Sequence, residues 1–405
     1  MRAFAAILIL GTALTPLAAA AQSPVEQGPK NAAFLEPAFP GQTRATQSTD
    51  RPQIEAEVVA DDLPQLWAME FLPDGRMLVN AKAGAMHVVG TDGRAGPAIS
   101  GVPQVDARRQ GGLLDLALSP DFAADSTVFI VYAEPRADGG NGTSVARARL
   151  VLDDAGGGAL ENVEVILRQT PSYRGTMHYG ARLAFAPDGK LFVGVGERSD
   201  RPVRDQSQDL DSGLGKVFRI NPDGSVPADN PFVGHASAQP EIWSYGHRNI
   251  QSAVMGADGN LWTVEHGPRG GDELNKPEAG LNYGWPVITY GINYGGSRVG
   301  GGISQMEGME QPVYYWDPVI APSGMAQYDG DLIPEWNGAF LIGGLVTGGV
   351  VILHMEDGLV AHEDRLSLGR RVRDVKVGPD GAVYVVTEQR GGPSTILRLT
   401  KAGAA

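Results

Sequence analysis

Residues 182–197 read RLAFAPDGKLFVGVGE, two apolar stretches separated by Pro187, Asp188 and Gly189. Proline presets φ for a turn, aspartate hydrogen-bonds to its own backbone, and glycine accepts a positive φ. The flanking residues are rich in Val, Phe and Leu, as is typical of strands that are buried on both faces. This stretch therefore predicts a tight β-hairpin inside a sheet that packs against other sheets.

The same pattern recurs along the whole chain, and an internal repeat is a stronger indicator of fold than any single element. It reads WAMEFLPDGRMLV at 67–79, QSAVMGADGNLWTVEHG at 251–267 and RDVKVGPDGAVYVVTE at 373–388. Looser copies surround two further aspartates, so that the six repeat aspartates are Asp74, Asp121, Asp188, Asp258, Asp329 and Asp380. Their spacings suit one four-stranded blade with variable loops for each copy.

Six copies predict an all-β fold, a six-bladed β-propeller of four-stranded antiparallel blades. A single sheet of this kind cannot bury both faces, so the sheets have to stack radially around an axis. A pair of β-sandwiches and a seven-bladed ring with one degenerate copy are the alternatives. A TIM barrel is disfavoured because no amphipathic helices of useful length separate the strands.

The N-terminus indicates export. Arg2 precedes an apolar run over 3–10, and small residues follow up to Ala21. This order is that of a secretory signal peptide over residues 1–21, and polar residues interrupt the run too early for a membrane anchor. Residues 22–50 are polar and irregular and predict a flexible linker, which leaves 51–400 for the propeller. No membrane span is predicted after cleavage.

Composition excludes one class of partner. The chain has 405 residues, no cysteine and a formal net charge of -14. An acidic protein is poorly suited to nucleic acid or to an anionic membrane surface. No phosphate-binding glycine loop and no nucleophile elbow are present in the sequence, and the histidines have no zinc spacing.

Polar side chains stand before several inner strands, about ten residues ahead of the repeat aspartate. They are Gln110, His178, Arg248, Asn249, Arg371 and Arg373. Equivalent positions of a propeller lie at equivalent heights, so these residues should converge at one end of the axis. Such a set suits the binding of a polyanionic ring compound and the removal of a proton from a substrate.

Several segments also carry a family resemblance. HYGARLAFAPDGKLFVGVGE at 178–197, EIWSYGHRNIQ at 241–251, VEHGPRGGDELN at 264–275 and GLNYGWP at 280–286 resemble soluble sugar dehydrogenases that use pyrroloquinoline quinone (PQQ). The resemblance extends from about Leu63 to Glu388 and is strongest to the aldose sugar dehydrogenases of the Gram-negative periplasm. It implies a periplasmic enzyme that oxidises aldose sugars at C1 to lactones and passes electrons to an external acceptor, as a monomer or homodimer.

The resemblance also implies residue roles. His178 matches the general base and Arg248 the cation beside the reacting quinone oxygen. Gln110 and Asn249 match neutral hydrogen-bond donors to the quinone, and Arg371 and Arg373 match the pair that holds its carboxylates. Tyr294 matches the cofactor loop of the aldose branch.

Calcium (Ca²⁺) is implied at two places. The backbone carbonyls of Gly267 and Pro268 match ligands of the ion that grips the quinone, and a hard cation prefers oxygen donors. Glu273 and Tyr283 match ligands of a second, structural ion. His247 and His266, beside these motifs, are interpreted as packing residues or as residues that support the neighbouring site residues.

The sequence departs from the glucose-dehydrogenase branch at two positions. Val346 stands where that branch has a lysine at the cofactor, and Met177 stands where it has an aspartate before the base. The first change removes a cation from the cofactor site. The second leaves His178 less firmly oriented unless another carboxylate reaches it.

Two other functions remain open on the residues alone. A calcium-dependent propeller lactonase would need carboxylates and asparagine around an axial ion, whereas this sequence places Arg, Gln and His there. A propeller without catalysis, binding a glycan or a protein, is the other alternative, because a fold does not by itself imply a function.

Overall fold

The computed structural model describes residues 23–153 and 156–403, so the predicted signal peptide over 1–21 lies outside the described residues. Within this part of the chain the strands form six antiparallel sheets, and the predicted six-bladed propeller is confirmed. Helix is confined to short turns, namely α1 (Phe122–Asp125), α2 (Arg201–Arg204) and two 3₁₀ turns (Asp205–Gln208 and Pro334–Trp336).

Each of the first five blades is built from consecutive strands, listed here from the axis outward. Blade one has β2 (Leu66–Phe71), β3 (Met77–Ala81) and β4 (Ala85–Val89), and blade two has β5 (Leu113–Leu118), β6 (Thr127–Pro135), β7 (Asn141–Leu152) and β8 (Gly158–Arg168). Blade three has β9 (Gly180–Phe185), β10 (Leu191–Val195), β11 (Lys216–Ile220) and β12 (Ile242–Tyr245), and blade four has β13 (Ile250–Met255), β14 (Leu261–Glu265), β15 (Asp272–Asn275) and β16 (Tyr314–Trp316). Blade five has β17 (Pro322–Gln327), β18 (Phe340–Gly344), β19 (Gly349–Glu356) and β20 (Leu359–Ser367).

The sixth blade closes the ring. Its inner strands are β21 (Arg371–Val377), β22 (Val383–Glu388) and β23 (Ser394–Lys401), and its outermost strand is β1 (Ile54–Leu63) from the start of the propeller. Pairing the first strand with the last joins both ends of the ring by backbone hydrogen bonds, which leaves no gap between the first and last blades. Five blades have four strands, whereas blade one has three.

The core is divided among the spaces between the blades. Six apolar clusters fill the six blade-to-blade interfaces, for example Phe129 and Val131 of blade two against Val193 and Phe218 of blade three. Each sheet is thereby covered on both faces, which explains the continuous apolar strands of the repeat. All six repeat aspartates lie between the first and second strands of a blade, and in the turns of regular form the carboxylate accepts a backbone N–H two residues on, as Asp188 does from Lys190 at 3.0 Å.

The segment predicted as a flexible linker is instead packed on the propeller. We call residues 24–48 the N-terminal strap. The carboxylate of Asp317 accepts hydrogen bonds from the backbone N–H groups of Asn31 and Ala32, both at 2.9 Å. Arg365 of β20 pairs with Glu26 at 2.8 Å. The prediction was wrong because a polar composition does not reveal such partners, which are 286 residues apart for Asn31 and Asp317 and 339 residues apart for Glu26 and Arg365.

Candidate functional site

The starts of the inner strands surround a cavity of about 440 Å³ on the propeller axis, which we call the axial cavity. This volume lies within the range of small-molecule and cofactor sites. Every blade contributes to its wall, including Trp67 of blade one, Gln110 before β5, Asn249 before β13, Leu345 after β18 and Arg371 of β21. The cavity thus lies where strands from separate repeats converge.

A β-bulge on each inner strand shapes this end of the propeller. The pairing register shifts by one residue near the start of β2, β5, β9, β13, β17 and β21. A bulge inserts an extra residue and turns its side chain away from the regular alternation. Three of the inserted residues, Trp67, Gln251 and Arg373, line the axial cavity.

The charged side chains of the cavity wall are mostly cations. Five basic residues line it against one carboxylate, that of Glu388, and the five are Lys82, Arg109, Arg371, Arg373 and Arg390. In a chain with a formal net charge of -14, this local excess of positive charge marks a site for an anion with several negative groups. The volume and the charge of the cavity are therefore both suited to a small ligand with several negative groups.

The two predicted arginines are held in place by that carboxylate. Arg371 Nε donates to Glu388 at 3.0 Å, and an Arg373 Nη donates to the same oxygen at 2.9 Å. The Arg373 guanidinium also lies 4.0 Å above the ring of Trp67. Burial alone would raise the pKa of Glu388, but both guanidinium groups and Gln65 hold it below 4.5. The arginines are thus fixed at the wall while keeping further N–H groups for a ligand.

The predicted base is joined to the cavity through Gln110 and Asn249. Gln110 Oε1 accepts the backbone N–H of His178 at 2.7 Å, and Asn249 Oδ1 accepts that of Gly180 at 3.1 Å. The next residues along, Tyr179 and Gly180, line the axial cavity. His178 itself is buried, with 5% of the residue exposed, and does not line the axial cavity.

A carboxylate that the sequence analysis did not single out lies against His178. Nδ1 is 3.2 Å from each carboxylate oxygen of Glu197, which is fully buried. A carboxylate there favours the tautomer with its proton on Nδ1 and leaves Nε2 to take a proton. Glu197 thus provides a carboxylate beside the histidine, although position 177 is a methionine and not the aspartate of the glucose-dehydrogenase branch. It follows the repeat strand β10 by two residues, but no local pattern indicates that it faces His178.

The protonation states of this pair follow from burial and from nearby charges. Burial lowers the pKa of His178 from 6.5, Glu197 acts in the opposite direction, and the Arg248 cation lowers it further. Burial alone would raise the pKa of Glu197, but His178 and Arg248 bring it below 4.5. The pair is therefore a neutral imidazole beside an ionised carboxylate at neutral pH.

The loop that carries His178 is held in an uncommon backbone conformation. His178 has φ +47° and Arg198 has φ +70°, both in the left-handed region that non-glycine residues rarely adopt. The buried Arg198 guanidinium donates to the carbonyls of Gly175 at 2.7 Å and Met177 at 3.1 Å, and it lies 4.0 Å above the ring of Tyr179. These contacts fix the loop and hence the direction of the imidazole.

A second, much smaller cavity of about 10 Å³ adjoins the axial one and contains most of the predicted metal site. Arg248, Gly267, Glu273 and Tyr283 line it, together with the buried Glu265. Burial and the neighbouring Glu265 raise the pKa of Glu273 well above 4.5. A cation in this cavity would offset that repulsion, so the acids present fit a hard metal ion.

The donors for such an ion are mainly backbone groups. Among the described residues, no cluster of three or more His, Asp or Glu side chains is arranged to hold a metal. The Tyr283 hydroxyl already donates to Lys276 O at 2.5 Å and accepts from the N–H of Glu278 at 3.0 Å, so its carbonyl is the group left to bind. Pro268 is buried beside Gly267 but does not line either cavity.

The remaining predicted residues occupy different positions. Arg248 lies 5.0 Å above the ring of Trp285 and donates to His266 O at 2.7 Å, and it faces the small cavity. Tyr294 is 73% exposed and lines neither cavity. His247 is buried and bonds to Glu265 at 3.0 Å, as a packing residue should.

His266 has a larger role than packing, because its ring lines both cavities. Burial lowers its pKa to about 3, and the ring nitrogen Nε2 lies 2.7 Å from the carbonyl of Pro322. His266 is therefore a neutral donor at the junction of the two cavities. Val346, the position without the lysine, lines the axial cavity and is 63% exposed.

Comparison with known proteins agrees with this architecture. The model of the glucose/sorbosone dehydrogenase family matches residues 63–398. Aldose sugar dehydrogenase YliI of Escherichia coli is 42% identical over 345 residues, which cover 84% of this chain and 91% of that protein. Quinoprotein glucose dehydrogenase B of Acinetobacter calcoaceticus is 26% identical, over 83% of this chain and 86% of that protein.

Solved structures extend the comparison. The apo form of the soluble aldose sugar dehydrogenase of Escherichia coli superposes with a TM-score of 0.81 at 40% identity, covering 86% of this chain and 100% of that one. The PQQ-bound aldose sugar dehydrogenase of Streptomyces coelicolor superposes with a TM-score of 0.70 at 29% identity, covering 86% of this chain and 99% of that one.

Proposed function

The chain belongs to the glucose/sorbosone dehydrogenase family, and from that premise we propose that it oxidises aldose sugars at C1 to lactones with PQQ held in the axial cavity. The observation that carries the proposal is the charge of that cavity. Five cations and one carboxylate line it in a strongly acidic protein. A planar quinone with several carboxylates has the complementary charge and shape.

The chain's own residues divide the work of holding and orienting this cofactor. Arg371 and Arg373 bind its carboxylates, with their guanidinium planes fixed by Glu388. Gln110 and Asn249, which come from other blades, contribute neutral hydrogen-bonding groups to the wall. Their amides also bind the backbone of the base-carrying loop, so cofactor and base are positioned by the same two residues.

His178 acts as the general base. Its Nε2 takes the proton of the sugar C1 hydroxyl, and the imidazolium that develops is stabilised by Glu197 at 3.2 Å. When bound, the quinone supplies the acceptor for the hydride from C1. Arg248, held by His266 O and stacked on Trp285, provides a fixed cation for negative charge that develops at this end of the site.

Calcium is proposed at the small cavity and at its rim. The carbonyls of Gly267 and Pro268 would bind one ion next to the quinone, and Glu273 with the carbonyl of Tyr283 would bind a second. Support comes from the buried Glu265 and the half-buried Glu273, whose mutual repulsion a divalent cation would relieve. Tyr294 stays outside this set, because its side chain is exposed and lines neither cavity.

The proposed location of the protein is the periplasm, and its proposed partner is an electron acceptor. The signal peptide predicted at 1–21 supports export to the periplasm, where electrons pass to an external acceptor. No helix of the described residues is long and apolar enough to cross a membrane.

Reconstitution tests the function directly. Apo-protein is titrated with PQQ and calcium while the quinone absorbance is followed, and an aldose is then added. We expect saturable binding at micromolar quinone and bleaching to the reduced spectrum by the sugar. Absence of saturable binding overturns the proposal. Lactone hydrolysis that requires calcium but not PQQ would favour a lactonase, and binding without reduction would favour a non-catalytic propeller.

A further inference from the structure

Lys82 lies at the axial cavity directly after β3 and was not selected by any sequence pattern. Its backbone joins blades one and two, since its N–H donates to Gln65 O at 2.8 Å and its carbonyl accepts the N–H of Leu113 at 3.1 Å. The position is thus fixed by pairing on both sides. A side chain that starts from this point is presented to the cavity by a rigid wall.

The path of the lysine stem is kept clear by Gly112. A Cβ on that glycine would come 2.8 Å from Lys82 Cγ and 2.2 Å from Lys82 O. Gly112 also has φ +146°, which side-chain-bearing residues rarely adopt. The close approach shows that a side chain at position 112 would collide with the first part of the lysine stem, so the glycine leaves room for it.

The ammonium has no anionic partner of its own. Nζ donates to the carbonyl of Ala107 at 2.7 Å, and no carboxylate of the described residues lies within 4.0 Å of it. The half-buried Lys82 differs in this from Arg371 and Arg373, which both bond to Glu388. Burial and the nearby Arg373 lower the pKa of Lys82 more than the carboxylates of Asp106 and Glu388 raise it, so the protein only partly offsets the cost of this charge.

We propose that Lys82 binds a carboxylate of the quinone and supplies the cofactor cation that Val346 does not. The inference rests on the proposed function, since it assigns one more residue to the same ligand. Arg371 and Arg373 belong to blade six and Lys82 to blade one. The three cations therefore bind the anion from two neighbouring blades. Lys82 remains bonded to Ala107 by one N–H and offers the others to the ligand.

The test compares quinone affinities of Lys82→Gln, Lys82→Arg and parent by quenching of tryptophan fluorescence. Loss of a partly buried charge pair should weaken PQQ binding at least about tenfold in Lys82→Gln, whereas Lys82→Arg stays close to parent. The methyl-esterified quinone, which lacks the negative charges, should bind Lys82→Gln and parent equally. Lys190→Gln, in the turn at the other end of blade three, is the matched control and should bind like parent.

A double variant tests whether a positive charge placed elsewhere in the cavity can replace that of Lys82. Val346 lines the same cavity, so Val346→Lys in the Lys82→Gln background should recover most of the lost affinity for PQQ. Equal PQQ affinity of Lys82→Gln and parent overturns the role of Lys82, as does an equal loss in Lys82→Arg, which would show that shape and not charge matters. Failure of the parent itself to bind PQQ would instead overturn the proposed function.

Discussion

Replacing Glu197 by glutamine tests how the base is prepared. Glutamine keeps the size of the side chain and an oxygen for Nδ1–H, but it removes the negative charge 3.2 Å from the imidazole. The neutral histidine loses little by this change. The imidazolium that forms during proton transfer loses a buried counter-charge, so the transition state is destabilised more than the ground state.

The size of the effect follows from the distance. Two unit charges at this separation attract by about 5 kcal/mol at an effective dielectric constant of 20. If the proton is about half transferred in the transition state, roughly 2–3 kcal/mol of that attraction is lost, which corresponds to about a 10²-fold slower chemical step. Quinone affinity should change little, because Glu197 does not line the axial cavity.

The assay is single-turnover reduction of bound PQQ by excess sugar, followed by stopped-flow absorbance at a pH above 7. Asp364→Asn is the control, because it removes the carboxylate from another His–carboxylate pair, with His354 at 3.0 Å on blade five and outside both cavities. A Glu197→Gln rate within about threefold of parent, with normal quinone binding, would refute the argument that this carboxylate supports the base.

Three more outcomes are expected. Since burial holds the pKa of His178 below 6.5 and only the neutral imidazole accepts a proton, sugar-dependent turnover should fall only as the pH drops below 6.5; an acid limb centred above 6.5 contradicts this. Asp317→Asn should lower the free energy of unfolding by roughly 2–3 kcal/mol in urea titrations, because the carboxylate anchors the N-terminal strap by charge-assisted hydrogen bonds; an unchanged midpoint speaks against that anchoring. Glu273→Gln should reduce the amount of calcium that binds in isothermal titration, and unaltered stoichiometry and affinity would remove Glu273 from the metal site.

Much of the site could be predicted because it follows the repeat. Gln110, Asn249 and the pair Arg371 and Arg373 come from three copies, in each case near the start of the inner strand, and the propeller brings those positions to one cavity. Glu197 could not be found in this way. It faces His178 only because the segment before β9, left-handed at His178, approaches the segment that follows β10.

The N-terminal strap is a segment whose order could not be predicted from its composition. Its composition was correctly described as polar and irregular, but order in such a segment depends on partners, and Asp317 and Arg365 are far away in sequence. Tyr294 was placed near the cofactor by motif alone, and the surface loop exposes it. Local sequence constrains what a residue can do, while long-range contacts determine whether it is in a position to do it.

Turn chemistry and apolar periodicity are properties of neighbouring residues, so the chain by itself determined six hairpins, their stacking into a ring and the end at which polar residues collect. The tertiary structure alone decided the six bulges that turn Trp67, Gln251 and Arg373 into the cavity, the pairing of Glu197 with His178 and the placement of Lys82. The physical reason is that register, close approach and shared burial arise between strands that are distant in sequence. No single stretch of sequence encodes them.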